Sequence, residues 1–111
     1  MRDIPSLLEW SESTLANPQA GAVEVRLVGM ATRLAFEWHL AELTDRLAPP
    51  RGIKWHAKAI RLMKAGHIDM ATYRRTRQIE RLACKAVHGK PFCRTRAAML
   101  LAAVRDFVSK S

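Results

Sequence analysis

Between the Asn17-Pro18 break and the Pro49-Pro50 stop, residues 19–47 carry one unbroken periodicity of threes and fours. A run of that length and spacing buries its apolar residues as an amphipathic helix packed against other elements, and this constrains the chain more than any other feature. Val23, Leu27, Met30, Leu34, Trp38 and Ala41 form the expected core stripe, and Phe36, Leu40, Leu43 and Leu47 widen it. Glu24, Arg26, Arg33, Glu37, Glu42 and Arg46 are left for the polar side. Gly29 within this run costs up to ~1 kcal/mol relative to Ala, so its presence points to a close helix crossing. Neither Pro49 nor Pro50 can donate to a helical ladder, and the run ends there.

The remaining segments read as helices too. Pro5 suits a first turn, and residues 6–15 follow with Leu7, Leu8, Trp10 and Leu15 as apolar contacts. Residues 54–65 form a third helix with Trp55, Ala59, Leu62 and Met63 inward, closed by Gly66. Asp69 caps a fourth, which runs to His88 and stops at Gly89, with Pro91 beyond. Thr95 opens a fifth over residues 96–108, whose dense apolar positions mark either the most buried element or part of a dimer interface. The expectation is an all-α, single-domain bundle of about five helices over residues 1–111, with short connections.

The charge is unusual. Lys and Arg number 19 against 10 Asp and Glu, for a net +9 and a pI near 10.6. Residues 51–96 hold thirteen of these cations but only Asp69 and Glu80 as acids, while residues 1–50 are close to balanced. Such a surplus calls for a polyanionic partner, RNA or another nucleic acid first and an acidic protein second. Cys84 and Cys93, nine apart, fit no zinc or redox spacing and read as free thiols in a reducing cytoplasm. The four histidines form no metal-ligand pattern, so neither metal nor cofactor is expected. The first residues carry no signal-peptide pattern, and no apolar run is long enough to span a membrane.

Chemistry concentrates at the end of the fourth helix, in IERLACKAVHG. Arg81 and His88 are seven apart, within about 20° of eclipsed and about 10 Å along the axis. Arg77 and Lys85 fall on the same side, with Ile79, Leu82, Ala83 and Ala86 roughly opposite. An arginine is a fixed cation whose planar fork suits phosphate, and a histidine moves protons near neutral pH. The stripe is therefore either a phosphodiester site or an ordinary solvated face.

RLACKAVHG (residues 81–89) resembles the signature of the HEPN superfamily, small helical domains with an Arg, four to six residues, then a His. The preceding LMKAGHIDMATY and the following small-residue helix AAMLLAAVRDFV fit that pattern, which covers roughly residues 23–108. The resemblance implies a HEPN-like dimer whose motif helices meet across a cleft. It also implies metal-independent RNA cleavage in active members, in a role such as a toxin or a phage- or plasmid-defence component. Carried onto this chain, it makes His88 the general base or acid and Arg81 the phosphate ligand. Arg77 and Lys85, with Arg74 and Lys90, would hold neighbouring phosphates. Two positions depart from the pattern of active members: Leu82 follows the arginine where a polar residue is common, and Cys84 stands where a related string has Asn. A non-catalytic basic module that binds nucleic acid or an acidic partner is the alternative.

Overall fold

In a computed structural model of the chain, residues 3–45, 60, 62–66, 68–88 and 92–110 are described. Four helices have both ends among them: α1 (Ile4–Ala16), α2 (Ala22–Asp45), α3 (Met70–Val87) and α4 (Arg94–Lys110). Helical backbone at residues 60 and 62–64 belongs to one more, so the described residues are all-helical, in five helices. The expected start of that helix, the Pro49 to Gly52 break, Leu47, Trp55, His56, His67 and the Gly89 to Pro91 stop lie outside the described residues.

Local chemistry sets each boundary. Asp3 caps α1, its carboxylate accepting from the Ser6 amide at 3.1 Å and the Ser6 hydroxyl at 2.7 Å, with Pro5 in the first turn. Asn17 ends α1 and accepts from the Gln19 amide, turning the chain. Glu24 reaches back to the Gly21 amide at 2.9 Å, the reciprocal arm of a capping box at the start of α2. Asp69 caps α3 as its position predicts, accepting from the Thr72 amide at 2.7 Å. Those Thr72 bonds hold the Asp69 carboxyl below its ordinary value. A depressed carboxylate stabilises the fold when ionised, so this contribution is complete above the ordinary carboxylate range and is lost as pH falls through the depressed value. Gly66 takes φ +80°, the left-handed conformation expected of a helix-closing glycine. α4 starts two residues earlier than expected, so Thr95 lies inside it. Cys93 takes the capping place, its carbonyl accepting from the Ala97 amide at 3.0 Å.

α2 is the central element: α1, α3 and α4 all pack on it, and α4 also touches α1 and α3. The core is built from Val28, Phe36 and Leu40 of α2, Ile79 of α3, Leu100, Val104 and Phe107 of α4, and Leu62. The Phe36 and Phe107 rings stand 5.3 Å apart at 56°, and His39 meets Phe107 edge-on at 5.5 Å. Three buried hydroxyls return hydrogen bonds to their own helices: Ser11 to the Leu7 carbonyl, Thr32 to Val28 and Thr76 to Tyr73. The dense fifth segment is a buried element, with Ala97, Leu100, Leu101, Val104 and Phe107 inside.

The buried face of α2 is not the one its most regular apolar spacing marks. Val23, Leu27, Met30 and Leu34 are exposed, as is Trp10 of α1. The side that packs holds Val25, Val28, Gly29, Thr32, Ala35, Phe36, Leu40 and Leu43. Gly29 decides this. A Cβ there would lie 2.7 Å from the Ala86 Cβ and 2.6 Å from the Phe92 ring, so α3 and the chain leading into α4 approach α2 where it has no side chain. Among the described residues, no helix is long and apolar enough to cross a membrane.

Gly29→Ala tests the crossing. Alanine gains up to ~1 kcal/mol of helix propensity, but overpacking costs roughly 1–3 kcal/mol, and the Ala86 Cβ is fixed to a helix backbone. A net loss of stability in urea unfolding is expected, partly relieved by Phe92→Leu, which removes the nearest ring atoms.

Candidate functional site

α3 separates its faces cleanly. Thr76, Ile79, Ala83 and Ala86 are buried at spacings of three and four, and Leu82 packs at the edge of the core. On the other side Arg74 and Arg81 are exposed, Arg77 and Lys85 are half-buried, and His88 is exposed at the end of the helix. His88 is the C-cap residue, its backbone N–H donating to the Cys84 carbonyl at 3.1 Å.

Arg81, Lys85 and His88 line one groove of about 460 Å³, together with Glu80 and Cys84. Three of the six residues singled out from the sequence therefore share one concave surface. Arg77 is not part of its lining but pairs at 3.8 Å with Glu80, which is. Arg74 lies two turns nearer the start of α3 and stands clear of the groove. Lys90 lies outside the described residues. The side chains of Arg74, Arg81 and Lys85 have no hydrogen-bond or ion-pair partner among the described residues, unlike most of the other arginines. A groove with two cations, an imidazole and a thiol at its wall, and a Glu80 carboxylate paired with Arg77, suits an anion with ester oxygens, and a phosphodiester fits that description.

The residue that holds this site in place was not visible in the sequence. Arg26 of α2 donates from Nη1 to the Ala86 carbonyl at 2.7 Å and to the Lys85 carbonyl at 3.2 Å. The last carbonyls of a helix have no partner within it, and here a guanidinium from another helix supplies one. Arg26 thus ties down the turn that presents Lys85 and His88. Arg94 does the same elsewhere, donating to the Leu15 carbonyl at 2.6 Å and the Ala20 carbonyl at 2.7 Å. Contacts spanning 59 to 79 residues leave no periodic trace in a sequence.

The two thiols differ. Cys93 is exposed and Cys84 is half-buried in the groove wall. The Arg96 backbone N–H at the start of α4, helped by that of Thr95 and by the Arg96 charge, pulls the Cys93 thiol below its ordinary value.

Arg26→Met keeps the apolar stem and removes both bonds. Hydrogen bonds from a charged group contribute about 1.5–3 kcal/mol, so a loss of that order is expected in chemical unfolding. Amide exchange should quicken in the last turn of α3 before its first. For the thiols, iodoacetamide near neutral pH should label Cys93 ahead of Cys84, as read by peptide mass spectrometry.

No protein-family model, no curated protein and no solved structure matches the chain.

Proposed function

We propose that the groove at the end of α3 binds RNA and cleaves it without a metal ion, with Arg81 and His88 in the roles that the HEPN-like motif implies. The observation that carries this reading is that Arg81, Lys85 and His88 share one groove at the surface of a chain of net +9. In this scheme the His88 imidazole takes the proton of a 2′-hydroxyl as its oxygen attacks phosphorus. The bond from phosphorus to the 5′-oxygen breaks, leaving a 2′,3′-cyclic phosphate. The 5′-oxygen takes a proton from the imidazolium or from water. Arg81 binds the phosphate and stabilises the charge that builds on its oxygens, and Lys85 holds a neighbouring phosphate. A positioned acid or base contributes about 10²–10⁴-fold, and electrostatic stabilisation of the developing charge adds to it.

The second reading is a basic module that binds nucleic acid without cutting it. Leu82 favours it: the residue after Arg81 packs toward the core, and the groove gains a thiol at Cys84 in place of an amide.

One experiment separates the two. Purified protein incubated with mixed RNA in EDTA, between about pH 6 and 8, should release cyclic-phosphate ends. His88→Ala should reduce cleavage by at least ~10²-fold with little change in affinity, because the imidazole acts mainly in the transition state. Arg81→Ala should weaken both, and Arg81→Lys should restore binding better than cleavage, since the charge stays and the fork is lost. Affinity should fall log-linearly with salt. RNA left intact over hours, with the same salt dependence of binding, decides for the module.

A further inference from the structure

Several apolar residues that the sequence assigned to the core, and that the fold leaves exposed, gather on α1 and α2. Val23, Leu27, Met30 and Leu34 run along α2, and Leu7 and Trp10 of α1 stand beside them. Their spacing along α2 is four, three, four, at which one helix seam packs against another. The stripe is about 17 Å long. Trp10 is 45% exposed, Val23 70%, Leu27 44%, Met30 45% and Leu34 36%. Together these five residues expose an apolar patch of a few hundred Å², a size at which contiguous patches are often functional. A stable interface takes about 800 Å² from each partner, of which about 57% is apolar. The patch is therefore comparable to the apolar part of one standard interface.

Charge narrows the occupant. Residues 3–45 carry seven Asp and Glu against Arg26 and Arg33, a net −5, whereas residues 46–111 carry sixteen Lys and Arg against three acids, a net +13. Acids outnumber bases on α1 and α2, which disfavours a polyanion as the occupant of their face. The charged residues within the patch, Arg33 and Glu37, already pair with each other at 3.0 Å. At its edge Arg26 is bound to the end of α3. The surface is apolar and its charged residues Arg33 and Glu37 are paired, so a second copy can pack there without burying an unpaired charge.

We propose that this face, Trp10 of α1 with Val23, Leu27, Met30 and Leu34 of α2, is the interface of a twofold homodimer in which α2 of one copy packs on α2 of the other. The proposal does not depend on the RNA reading. It leaves the groove of Arg81, Lys85 and His88 open on each copy, with Arg26 touching both the edge of the interface and the turn that carries the groove.

Sedimentation of the whole chain at micromolar concentration tests it. The wild type should run at twice 12.5 kDa, and Leu27→Glu/Met30→Glu should run as a monomer with unchanged circular dichroism, since both side chains are exposed. Salt should strengthen the association by screening the surplus positive charge, opposite to its effect on RNA binding. Should the double variant fail to fold, Leu34→Lys at the edge of the patch serves in its place. In the wild type, amide protection across residues 23–34 should rise with protein concentration. A monomeric wild type overturns the proposal. So does a dimer that survives these substitutions, or one whose protection rises only elsewhere, as it would if the α3 helices met instead.

Discussion

The absence of a side chain at Gly29 is what lets α3 close on α2, and much else follows from that one approach. The Ala86 Cβ and the Phe92 ring occupy the space a Cβ would need. Ala86 belongs to the last turn of α3, and Phe92 precedes the first residue of α4. One point on α2 therefore fixes where one helix ends and where the next begins. Arg26 lies one residue short of a full turn before Gly29 and takes up the carbonyls of Lys85 and Ala86. Steric fit and charge-assisted hydrogen bonding thus act on the same turn, the one that ends in His88. A helix terminus tends to fray because its last carbonyls lack partners; this one is held from a neighbouring helix.

The arginines divide by role. Arg26 and Arg94 close helix ends. Arg75 bridges α3 to Asp106 of α4, which Lys110 also holds at 2.9 Å, and Arg105 bridges α4 to Glu12 of α1. Arg33 pairs within α2. A net charge of +9 therefore overstates the number of cations available to a phosphate backbone. Arg74, Arg81 and Lys85 of α3 lack such side-chain partners among the described residues, as does Lys64 outside α3. Net charge speaks to affinity and approach; the distribution of committed and uncommitted cations directs attention to a particular helix.

Helix type, most helix ends and the two faces of α3 were legible in the sequence because they are local. Asp69 and Gly66 sit where capping chemistry puts them, and the buried set Ile79, Ala83 and Ala86 follows a single unambiguous period. α2 was misread because it is apolar on two sides. Val23, Leu27, Met30 and Leu34 make the more regular stripe. The stripe that packs is interrupted by Gly29 and Thr32, which score poorly as core residues. Thr32 is buried only because its hydroxyl returns to the Val28 carbonyl, and Gly29 only because α3 arrives there. Both reasons are tertiary, so periodicity ranked the faces in the wrong order. The same holds at the site: Arg81, Lys85 and His88 follow from helical spacing, whereas Arg26 depends on how two helices cross.

On the proposed dimer and polyanion readings, that second apolar side lets opposite demands coexist in one chain. Cationic side chains that engage a polyanion must stay exposed, and each adds to the repulsion between copies. At physiological ionic strength this repulsion acts over about 8 Å, so a second copy tolerates it only where the contacting surface is not itself basic. α1 and α2 supply such a surface because their acids outnumber their bases and Arg26 and Arg33 are bound within the molecule. With acids in excess on α1 and α2 and with Arg81 and Lys85 on α3, the apolar face and the cationic groove lie on different helices. α2 joins the two, since its exposed stripe lines the first while Gly29 and Arg26 fix the helix end that forms the second.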